Sequence, residues 1–411
     1  MHRWQEVARA TGLIAPDGAV RPTIFAEMSA LAGRTGAVNL GQGFPDVDGP
    51  AHVSAAAVHA IRAGHNQYPP GGGEPELRAA IAAHQERHYG LRPDPLTEVL
   101  VTTGATEALA ATVLALVEPG DEVITLEPTY DSYAAVIAMA GGRHVPIGLV
   151  AGPAGFRLDA AALAAAVTPR TRLLLVNTPH NPTGTVLTAA ELEAVAALAR
   201  ARDLLVVTDE VYEHLTFDGV THVPIATLPG MAERTLTISS AGKSLSFTGW
   251  KVGWVSGPAD LVTAVRTVQQ FLTYVSGAPF QVAVAAALHD QDGATDAWVR
   301  GLAASLAARR DLLCAGLRAA GFEVVVPQGT YFVVADAAPL GVGDGVALCR
   351  RLPELVGVVG IPVSAFCQPG SPTAGALAAR VRFTFVKREP VLRQAVERLA
   401  GLPAALAAGP A

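Results

Sequence analysis

The chain has 411 residues; 50% are hydrophobic, 16% are charged, and the formal net charge is −6 at pH 7. This composition supplies a large buried core over about two or three domains, and it excludes the basic surface that nucleic acid or an anionic membrane requires. The three cysteines are scattered along the chain, so we predict neither a disulfide framework nor a metal site. We expect a protein that binds a small molecule.

The sequence of the N-terminal part predicts only short secondary-structure elements. Residues 1–47 are interrupted too often by proline and glycine to form a domain of their own. Residues 51–63 and 74–89 are predicted helices, and they flank a loop rich in proline and glycine that holds Tyr68 outward. Because we find no apolar signal region and no apolar run of membrane length, we expect a cytoplasmic protein with no membrane segment.

Apolar runs that alternate with helical stretches begin at Glu98. The predicted strands are residues 99–102, 122–126, 172–176, 204–208, 235–239 and 252–256, and the predicted helices are residues 105–116, 133–140 and 189–201. This order is typical of βαβ units in an α/β fold. We therefore predict a mostly parallel sheet with helices on both faces.

The C-terminal part predicts a smaller α+β domain. A long helical region runs from residue 258 to about residue 320, with a break near Gly277. It is followed by predicted strands at residues 322–326, 330–335 and 380–385, a helix at residues 346–355 and a last helix from residue 390. Residues 368–378 are predicted to form a loop.

Lys243 stands in an unusual setting for a lysine. The residues around it, 239–254, are small, apolar or hydroxyl-bearing except for Lys251. Loss of solvation lowers the pKa of a lysine and makes the free amine accessible, and such an amine can form a Schiff base with a carbonyl compound. The alternative is a lysine on a surface loop, and Lys243 alone does not decide between the two interpretations.

Polar side chains follow three of the predicted strands, at the edge where open α/β sheets bind ligands. Gly104-Ala105-Thr106 opens a helix and can receive a phosphate, although an ordinary strand-to-helix turn is the alternative. Asn181 lies in a turn stiffened by prolines, for which a capped loop is the alternative. Asp209 puts a carboxylate into an apolar domain, where it needs a cationic partner unless it is a helix N-cap.

Two arginines lie on the last predicted strand. Arg380 and Arg382 are two residues apart, so they face the same side of that strand. Either guanidinium can bind a carboxylate through two parallel hydrogen bonds. A solvated strand face is the alternative.

Eight short motifs, taken in their order along the chain, resemble those of the class I/II, fold-type I pyridoxal-phosphate (PLP) aminotransferases. The resemblance extends from about Val38 over nearly the whole chain. It is nearest to the kynurenine/glutamine transaminases and the actinobacterial succinyldiaminopimelate aminotransferases. The motifs are residues 39–45, 66–68, 104–106, 127–131, 181–184, 209–212, the stretch around Lys243, and residues 381–383.

The resemblance implies an architecture. It predicts a three-layer large PLP domain, residues 48–290, around a sheet of the seven-stranded type. A small domain combines residues 1–47 with residues 291–411. It also implies a homodimer with shared active sites, in which Tyr68 reaches the cofactor phosphate of the second subunit.

The resemblance also gives each matching residue a role. The catalytic residues it implies are Lys243, Asp209 and Tyr212: Lys243 forms the Schiff base and moves protons, and Asp209 pairs with the pyridine nitrogen. The other cofactor contacts are Asn181 and Tyr212 at the phenolic oxygen, Tyr130 stacked on the ring, and Gly104, Ala105, Thr106, Ser240 and Lys251 at the phosphate. Arg382 binds the substrate α-carboxylate, with Gly41 and Asn181 beside it.

The activity that the resemblance implies is amino-group transfer between an amino acid and a 2-oxo acid by ping-pong kinetics. Thr129 and Tyr130 replace the two phenylalanines usual in kynurenine-type members, which weakens the transfer of their aromatic substrate preference. One rival is a PLP-dependent lyase or β/γ-replacement enzyme on the same scaffold. The other is a non-enzymatic regulator, which needs a basic DNA-binding domain for which we find no room before Val38.

Overall fold

A computed structural model describes residues 2–15, 18–152 and 155–408. Its helices are α1 (Arg3–Ala10), α2 (Ile24–Thr35), α3 (Ala51–Arg62), α4 (Pro75–Tyr89), α5 (Gly104–Leu116), α6 (Asp131–Ala140), α7 (Ala160–Ala166), α8 (Ala189–Arg202), α9 (Ala241–Ser244), α10 (Ala259–Leu272), α11 (Ala278–His289), α12 (Ala294–Ala319), α13 (Gly345–Val356), α14 (Pro372–Ala376), α15 (Glu389–Leu399) and α16 (Leu402–Ala407). Its strands are β1 (Val38–Asn39), β2 (Val99–Thr103), β3 (Glu122–Glu127), β4 (Arg143–Gly148), β5 (Val150–Gly152), β6 (Gly155–Arg157), β7 (Thr171–Asn177), β8 (Leu205–Asp209), β9 (Thr235–Ser240), β10 (Val252–Ser256), β11 (Glu323–Val324), β12 (Phe332–Asp336), β13 (Val358–Val359), β14 (Ile361–Pro362) and β15 (Arg380–Thr384).

A seven-stranded sheet with the order β2-β10-β9-β8-β7-β3-β4 forms the centre of the larger domain. Strands β4, β3, β7, β8 and β9 run parallel, whereas β10 is antiparallel to both of its neighbours. The predicted mostly parallel sheet is therefore confirmed. Strand β4 was not predicted, because it is an edge strand whose sequence contains Arg143, His144 and Pro146 instead of an apolar run.

Alternating side chains of this sheet belong to two different cores. On β3, Val123 packs against α5 and α6 on one face, whereas Ile124 joins the core beside α8 on the other. Val206 and Val207 of β8 divide in the same way. Because successive residues of a strand point to opposite faces, this division shows that helices cover both faces of the sheet.

The smaller domain is built on the antiparallel sheet β11-β12-β15-β14. Phe383 of β15 and the adjacent Phe385 are completely buried in its core. Strand β1 pairs in parallel with β13, with Val38 opposite Val358, so the N-terminal segment packs on this domain. This pairing explains why the short N-terminal elements need no core of their own.

Two sequence predictions for the C-terminal part were wrong in detail. The long helical region has a second break at residues 290–293, where Asp290 adopts a left-handed conformation and its carboxylate accepts hydrogen bonds from the first N–H groups of α12. Residues 368–378 contain the short helix α14, whose N-terminus is capped by Ser371. Both sites are examples of side-chain capping, which a hydropathy pattern does not show.

No helix in the described ranges is long and apolar enough to span a bilayer. The predicted domain boundaries, residues 48–290 for the large domain and the remainder for the small one, stay a prediction. Met1, residues 16–17, 153–154 and 409–411 fall within those boundaries but outside the described residues.

A close backbone approach fixes where α5 begins relative to the sheet. A Cβ atom on Gly253 of β10 would lie 2.5 Å from the carbonyl carbon of Gly104 and 2.7 Å from the nitrogen of Ala105. Since these are backbone atoms, neither can move aside without displacing the start of the helix. Gly253 thus allows the first turn of α5 to reach the end of the sheet.

We predict that Gly253→Ala lowers the free energy of unfolding by about 1–3 kcal/mol, the usual cost of overpacking. Gly249→Ala is the matched control, because a Cβ atom at that position meets nothing within 4 Å. Urea unfolding of both variants measures the difference. Equal stability of the two variants would show that the approach of β10 to α5 is not a constraint.

Candidate active site

The carboxyl ends of the central strands bring the predicted residues together. Asn177 at the end of β7 lies opposite Asp209 at the end of β8, and Ser240 ends the next strand, β9. A single cavity at this edge is lined by the predicted residues Gly104, Ala105, Thr106, Tyr130, Asn181, Asp209, Tyr212, Ser240, Lys243 and Lys251. These residues come from five separate segments of sequence, and the parallel strands are what gather them.

Asp209 is a buried carboxylate held by neutral donors. Its Oδ2 accepts a hydrogen bond of 2.8 Å from the Tyr133 hydroxyl, and its Oδ1 accepts one of 3.3 Å from the Val211 N–H. Burial raises the pKa of Asp209 above its usual range, and these two hydrogen bonds oppose that rise. Within the described ranges, no Lys, Arg or His forms an ion pair with Asp209. The carboxylate is therefore poised to pair with a cationic group of a ligand.

Lys243 lies on the short helix α9 with its ammonium near two tyrosine rings. The Nζ atom is 5.8 Å from the centroid of Tyr212 and 6.0 Å from that of Tyr331. Burial lowers the pKa of Lys243, but the hydroxyl of Tyr331, Tyr130 and the carboxylate of Asp209 outweigh burial, so the pKa is raised. The predicted lowering of this pKa was wrong, because it counted burial without the oxygen atoms around the amine.

The beginning of α5 and Lys251 form an anion-binding corner of the cavity. Gly104 starts the helix with φ +73°, and a Cβ atom there would lie 3.3 Å from the Nζ of Lys251. Burial and the positive charge of Lys243 lower the pKa of Lys251. Helix N-terminal N–H groups and two nearby ammonium groups together favour a bound phosphate or carboxylate.

Arg382 is buried, with only 3% of its surface exposed, so the alternative of a solvated strand face was wrong for this residue. Its Nη1 donates to Asn181 Oδ1 at 3.1 Å and its Nη2 to the Gly41 carbonyl at 2.7 Å, while its Nε has no hydrogen-bond partner in the part of the chain that the structure describes. The guanidinium is stacked between Phe332 and Phe366, at 4.0 and 4.5 Å from the ring centroids. Both of its hydrogen bonds go to uncharged oxygen atoms, so the guanidinium is available to an anion.

Arg380, by contrast, is already paired. Its Nε lies 3.0 Å from Asp336 Oδ2 on the neighbouring strand. Arg382 differs from Arg380 because it has no carboxylate partner among the described residues. Burial lowers the pKa of Arg382 to about 10, so its guanidinium still carries a positive charge at neutral pH. Of the two arginines on β15, only Arg382 has the freedom to bind a substrate carboxylate.

Sequence reasoning missed two tyrosines of the site. Tyr133 donates to Asp209, and Tyr331 donates a 2.7 Å hydrogen bond to the Gly43 carbonyl while its ring lies edge-on to Tyr212 at 5.2 Å. Tyr133 lies one helical turn after Tyr130, so its position on α6 was a usable signal. Tyr331 precedes β12 of the other sheet, and nothing in the sequence indicates that it reaches Lys243.

Tyr68 is the one predicted cofactor contact that lies away from the cavity. Its side chain is 82% exposed, and its ring packs edge-on against Tyr274 with 5.7 Å between the centroids. Within its own chain, Tyr68 therefore does not contact the site. The predicted contact requires a second subunit.

The cavity combines three chemical capacities. The amine of Lys243 can condense with a carbonyl compound, and the buried carboxylate of Asp209 can hold a protonated ring nitrogen nearby. The corner formed by Gly104 and Lys251 can bind a phosphate. Arg382 can bind the carboxylate of a second molecule at the other end of the cleft.

Comparison with known proteins gives a consistent result. The chain matches the family model "Aminotransferase class I and II" over residues 35–399. A relative from Mycobacterium tuberculosis, described as a probable N-succinyldiaminopimelate aminotransferase, is 58% identical over 384 residues, which are 92% of this chain and 96% of that protein. The methionine aminotransferase of Escherichia coli is 40% identical over 92% of this chain and 95% of its own.

A solved structure agrees with these relatives. The structure of N-succinyldiaminopimelate aminotransferase from Mycobacterium tuberculosis matches this fold with a TM-score of 0.89, covering 93% of this chain and 97% of that one. Family members use PLP as their cofactor. The resemblance inferred from the eight motifs is thus confirmed: the chain belongs to the class I and II aminotransferases and is a transaminase of fold type I.

Proposed function

We propose that this enzyme uses PLP to transfer an amino group from N-succinyldiaminopimelate to a 2-oxo acid. The observation that supports amino-acid chemistry most directly is Arg382, a buried guanidinium that is hydrogen-bonded to no carboxylate of the described residues. It is hydrogen-bonded to Asn181, which lines the cavity that contains Lys243. The proposed donor substrate rests on the relative with 58% identity that has this name.

The residues present fit PLP at each of its polar groups. Asp209, buried and without an ion-pair partner in the described ranges, suits the pyridine nitrogen. The N-terminus of α5 with Lys251 suits the phosphate. Lys243 lines the same cavity, as do Asn181 and Tyr212, which suit the phenolic oxygen. We assign Tyr130, which also lines this cavity, to stacking on the ring.

Bound PLP supplies an electron-accepting ring that stabilises the negative charge left when the substrate Cα loses its proton. The carboxylate of Asp209 favours the protonated state of the ring nitrogen, and Tyr133 orients that carboxylate. Lys243 would hold the cofactor covalently in the resting enzyme, and its freed amine would move the proton between the substrate Cα and the cofactor carbon that takes up the amino group. Arg382 orients the substrate by its α-carboxylate.

A neighbouring cavity suits a long, polar substrate side chain. It begins at Tyr130 and Phe366, next to Arg382, and extends between α1, the start of α2 and the loop before α14. Its polar lining residues are Thr11, Thr23, Thr129, Tyr130, Asp131, Ser132, His144, Ser364 and Gln368. Hydroxyl and amide groups of this kind match the amide and carboxylate groups of a succinylated diamino acid better than an aromatic ring.

A donor comparison tests the proposed substrate. We expect kcat/KM for N-succinyldiaminopimelate to exceed that for methionine, glutamine or kynurenine by about 100-fold, because its long succinylated side chain can form hydrogen bonds in the neighbouring cavity that the shorter donors do not reach. The measurement is glutamate formed from 2-oxoglutarate, with Lys243→Ala as the inactive control. Equal or better rates with methionine or kynurenine would exclude the proposed donor. Ammonia released without glutamate would instead indicate a lyase.

We predict that Arg382→Lys raises KM for both the amino donor and the 2-oxo acid by at least about tenfold, because an ammonium cannot reproduce the planar, bidentate guanidinium. Arg380→Lys is the matched control on the same strand and should leave both KM values nearly unchanged, since Arg380 is paired with Asp336. An effect on only one of the two substrates, or a larger effect of Arg380→Lys, would contradict the assignment.

We also propose that the enzyme is a homodimer in which Tyr68 completes the active site of the second subunit. Tyr68 and Phe271 are more than four-fifths exposed, and with Leu272 and Tyr274 they form an apolar surface that is unusual for a protein in water. This surface adjoins the start of α5, because Thr273 is hydrogen-bonded to Thr103. A partner on this surface therefore comes close to the proposed phosphate corner.

Mixed dimers test this arrangement. A Lys243→Ala subunit is paired with a Tyr68→Phe subunit, after Tyr68→Phe alone has been shown to be clearly impaired. If Tyr68 acts on the other subunit, each active site combines Lys243 of one subunit with Tyr68 of the other. One site then contains both substitutions and the other contains neither, so we expect the activity of one wild-type site per dimer. Activity no higher than the average of the two parent variants would show that Tyr68 acts within its own chain or not at all.

We place the enzyme in the cytoplasm. The three cysteines, Cys314, Cys349 and Cys367, are all free thiols in the structure. Unpaired thiols of this kind are typical of proteins that stay in a reducing compartment.

A further inference from the structure

A second cavity, on the other side of Ser240 from the proposed PLP site, contains a cluster of histidines. His84 and His88 are four residues apart on α4 and therefore lie on one face of the helix. His214 approaches them from the turn after Tyr212, and its Nε2 lies 2.7 Å from the Nε2 of His84. If one ring nitrogen is taken from each of the three histidines, these three nitrogens lie within 4.8 Å of one another.

Three imidazoles in this arrangement are difficult to satisfy by hydrogen bonds alone. The ring centroids of His84, His88 and His214 are 4.5 to 4.9 Å apart, so the rings pack on one another. His84 is only 3% exposed, and its Nδ1 has no hydrogen-bond partner among the described residues. Burial lowers the pKa of all three histidines, that of His84 to about 3.

Two carboxylates accompany the histidines. Asp296, at the start of α12, has its Oδ1 3.6 Å from the Nε2 of His88 and its Oδ2 3.6 Å from the Nε of Arg87. Glu213 lines the same cavity, is 5% exposed and accepts a hydrogen bond from Ser239. Among the described residues, no Lys, Arg or His lies within 4.0 Å of the Glu213 carboxylate. A buried negative charge next to imidazole lone pairs favours a cation.

We propose that His84, His88 and His214 form a binding site for a divalent transition-metal cation of the Zn²⁺ type, with Asp296 or a water molecule as the fourth ligand. A tetrahedral centre with metal–nitrogen bonds of about 2.0–2.1 Å sets its ligand nitrogens about 3.3 Å apart. That separation lies between the 2.7 Å of the closest pair and the 4.8 Å limit of the set. The three nitrogens are therefore within about 1.5 Å of the separation that a tetrahedral centre requires.

The spacing of His84 and His88 places two imidazoles on one face of a predicted helix, but no local pattern indicates that His214, from a distant segment, joins them. The position of the site suggests a structural role. The cation would connect α4 to the turn that contains Tyr212 and to the start of α12. Ala241 and Ser244 of α9 line the same cavity, so the connection lies directly behind the helix that holds Lys243.

Cobalt titration of the full-length, untagged protein after treatment with a chelator tests the proposal. Co²⁺ replaces Zn²⁺ in such sites and gives visible ligand-field bands. We expect saturable binding of one Co²⁺ per chain, with the bands of a four-coordinate centre, and displacement of these bands by Zn²⁺. The site does not involve PLP, so this result stands independently of the proposed aminotransferase substrate.

Variants identify the ligands. His88→Gln removes one ligand at a side chain that is 26% exposed, so the fold should persist, and we expect affinity to fall by at least about 100-fold. His214→Gln should have the same effect, and His59→Gln, at an exposed histidine on α3, should have none. Circular dichroism confirms that each variant is folded. Equal binding by wild type and His88→Gln, or the absence of saturable binding in the wild type, would overturn the proposal.

Discussion

The burial of Arg382 with only uncharged hydrogen-bond acceptors is the constraint on which the active-site cleft depends. Desolvating a guanidinium is costly, and the Asn181 amide and the Gly41 carbonyl offset only part of that cost. Phe332 and Phe366 cover its two faces and exclude water from them. We propose that the remaining free energy becomes available when a substrate carboxylate binds, so that the cost of burial in the free enzyme contributes to substrate affinity.

At the other end of the cleft, the buried charged group with uncharged hydrogen-bond partners is a carboxylate, that of Asp209. Asp209 is buried among neutral donors, and Lys243 and Lys251 lie close enough for the charge of one to lower the pKa of the other. Burial makes the charged states of Asp209 and Lys251 costly in the free protein, whereas the oxygen atoms around Lys243 favour its charged state. In the function that we propose, the basic nitrogen and the phosphate of the cofactor would relieve the first two costs together.

Strand patterns predicted part of this site because parallel strands end at a common edge, whereas Tyr130, Tyr212, Ser240 and Lys251 were implied only by the family resemblance. Asp209, Asn181 and the start of α5 each follow a strand of strong apolar pattern, and a turn or a cap signals each of them. The contributions of Tyr331 and His214 depend on contacts between segments that are far apart in sequence, and no local pattern reports such contacts. The pKa of Lys243 was mispredicted for a related reason, since the oxygen atoms that raise it belong to other elements.

Arg382 lies on β15 of the smaller sheet, whereas Asn181, its hydrogen-bond partner, follows β7 of the larger one. A substrate that is held by Arg382 and reacts at Lys243 therefore spans both sheets. Part of its binding free energy is therefore used to fix the position of one domain relative to the other. By linkage, the bound substrate stabilises that relative position of the domains. Substitutions in the segments that join the domains can consequently alter substrate affinity without any contact with the substrate.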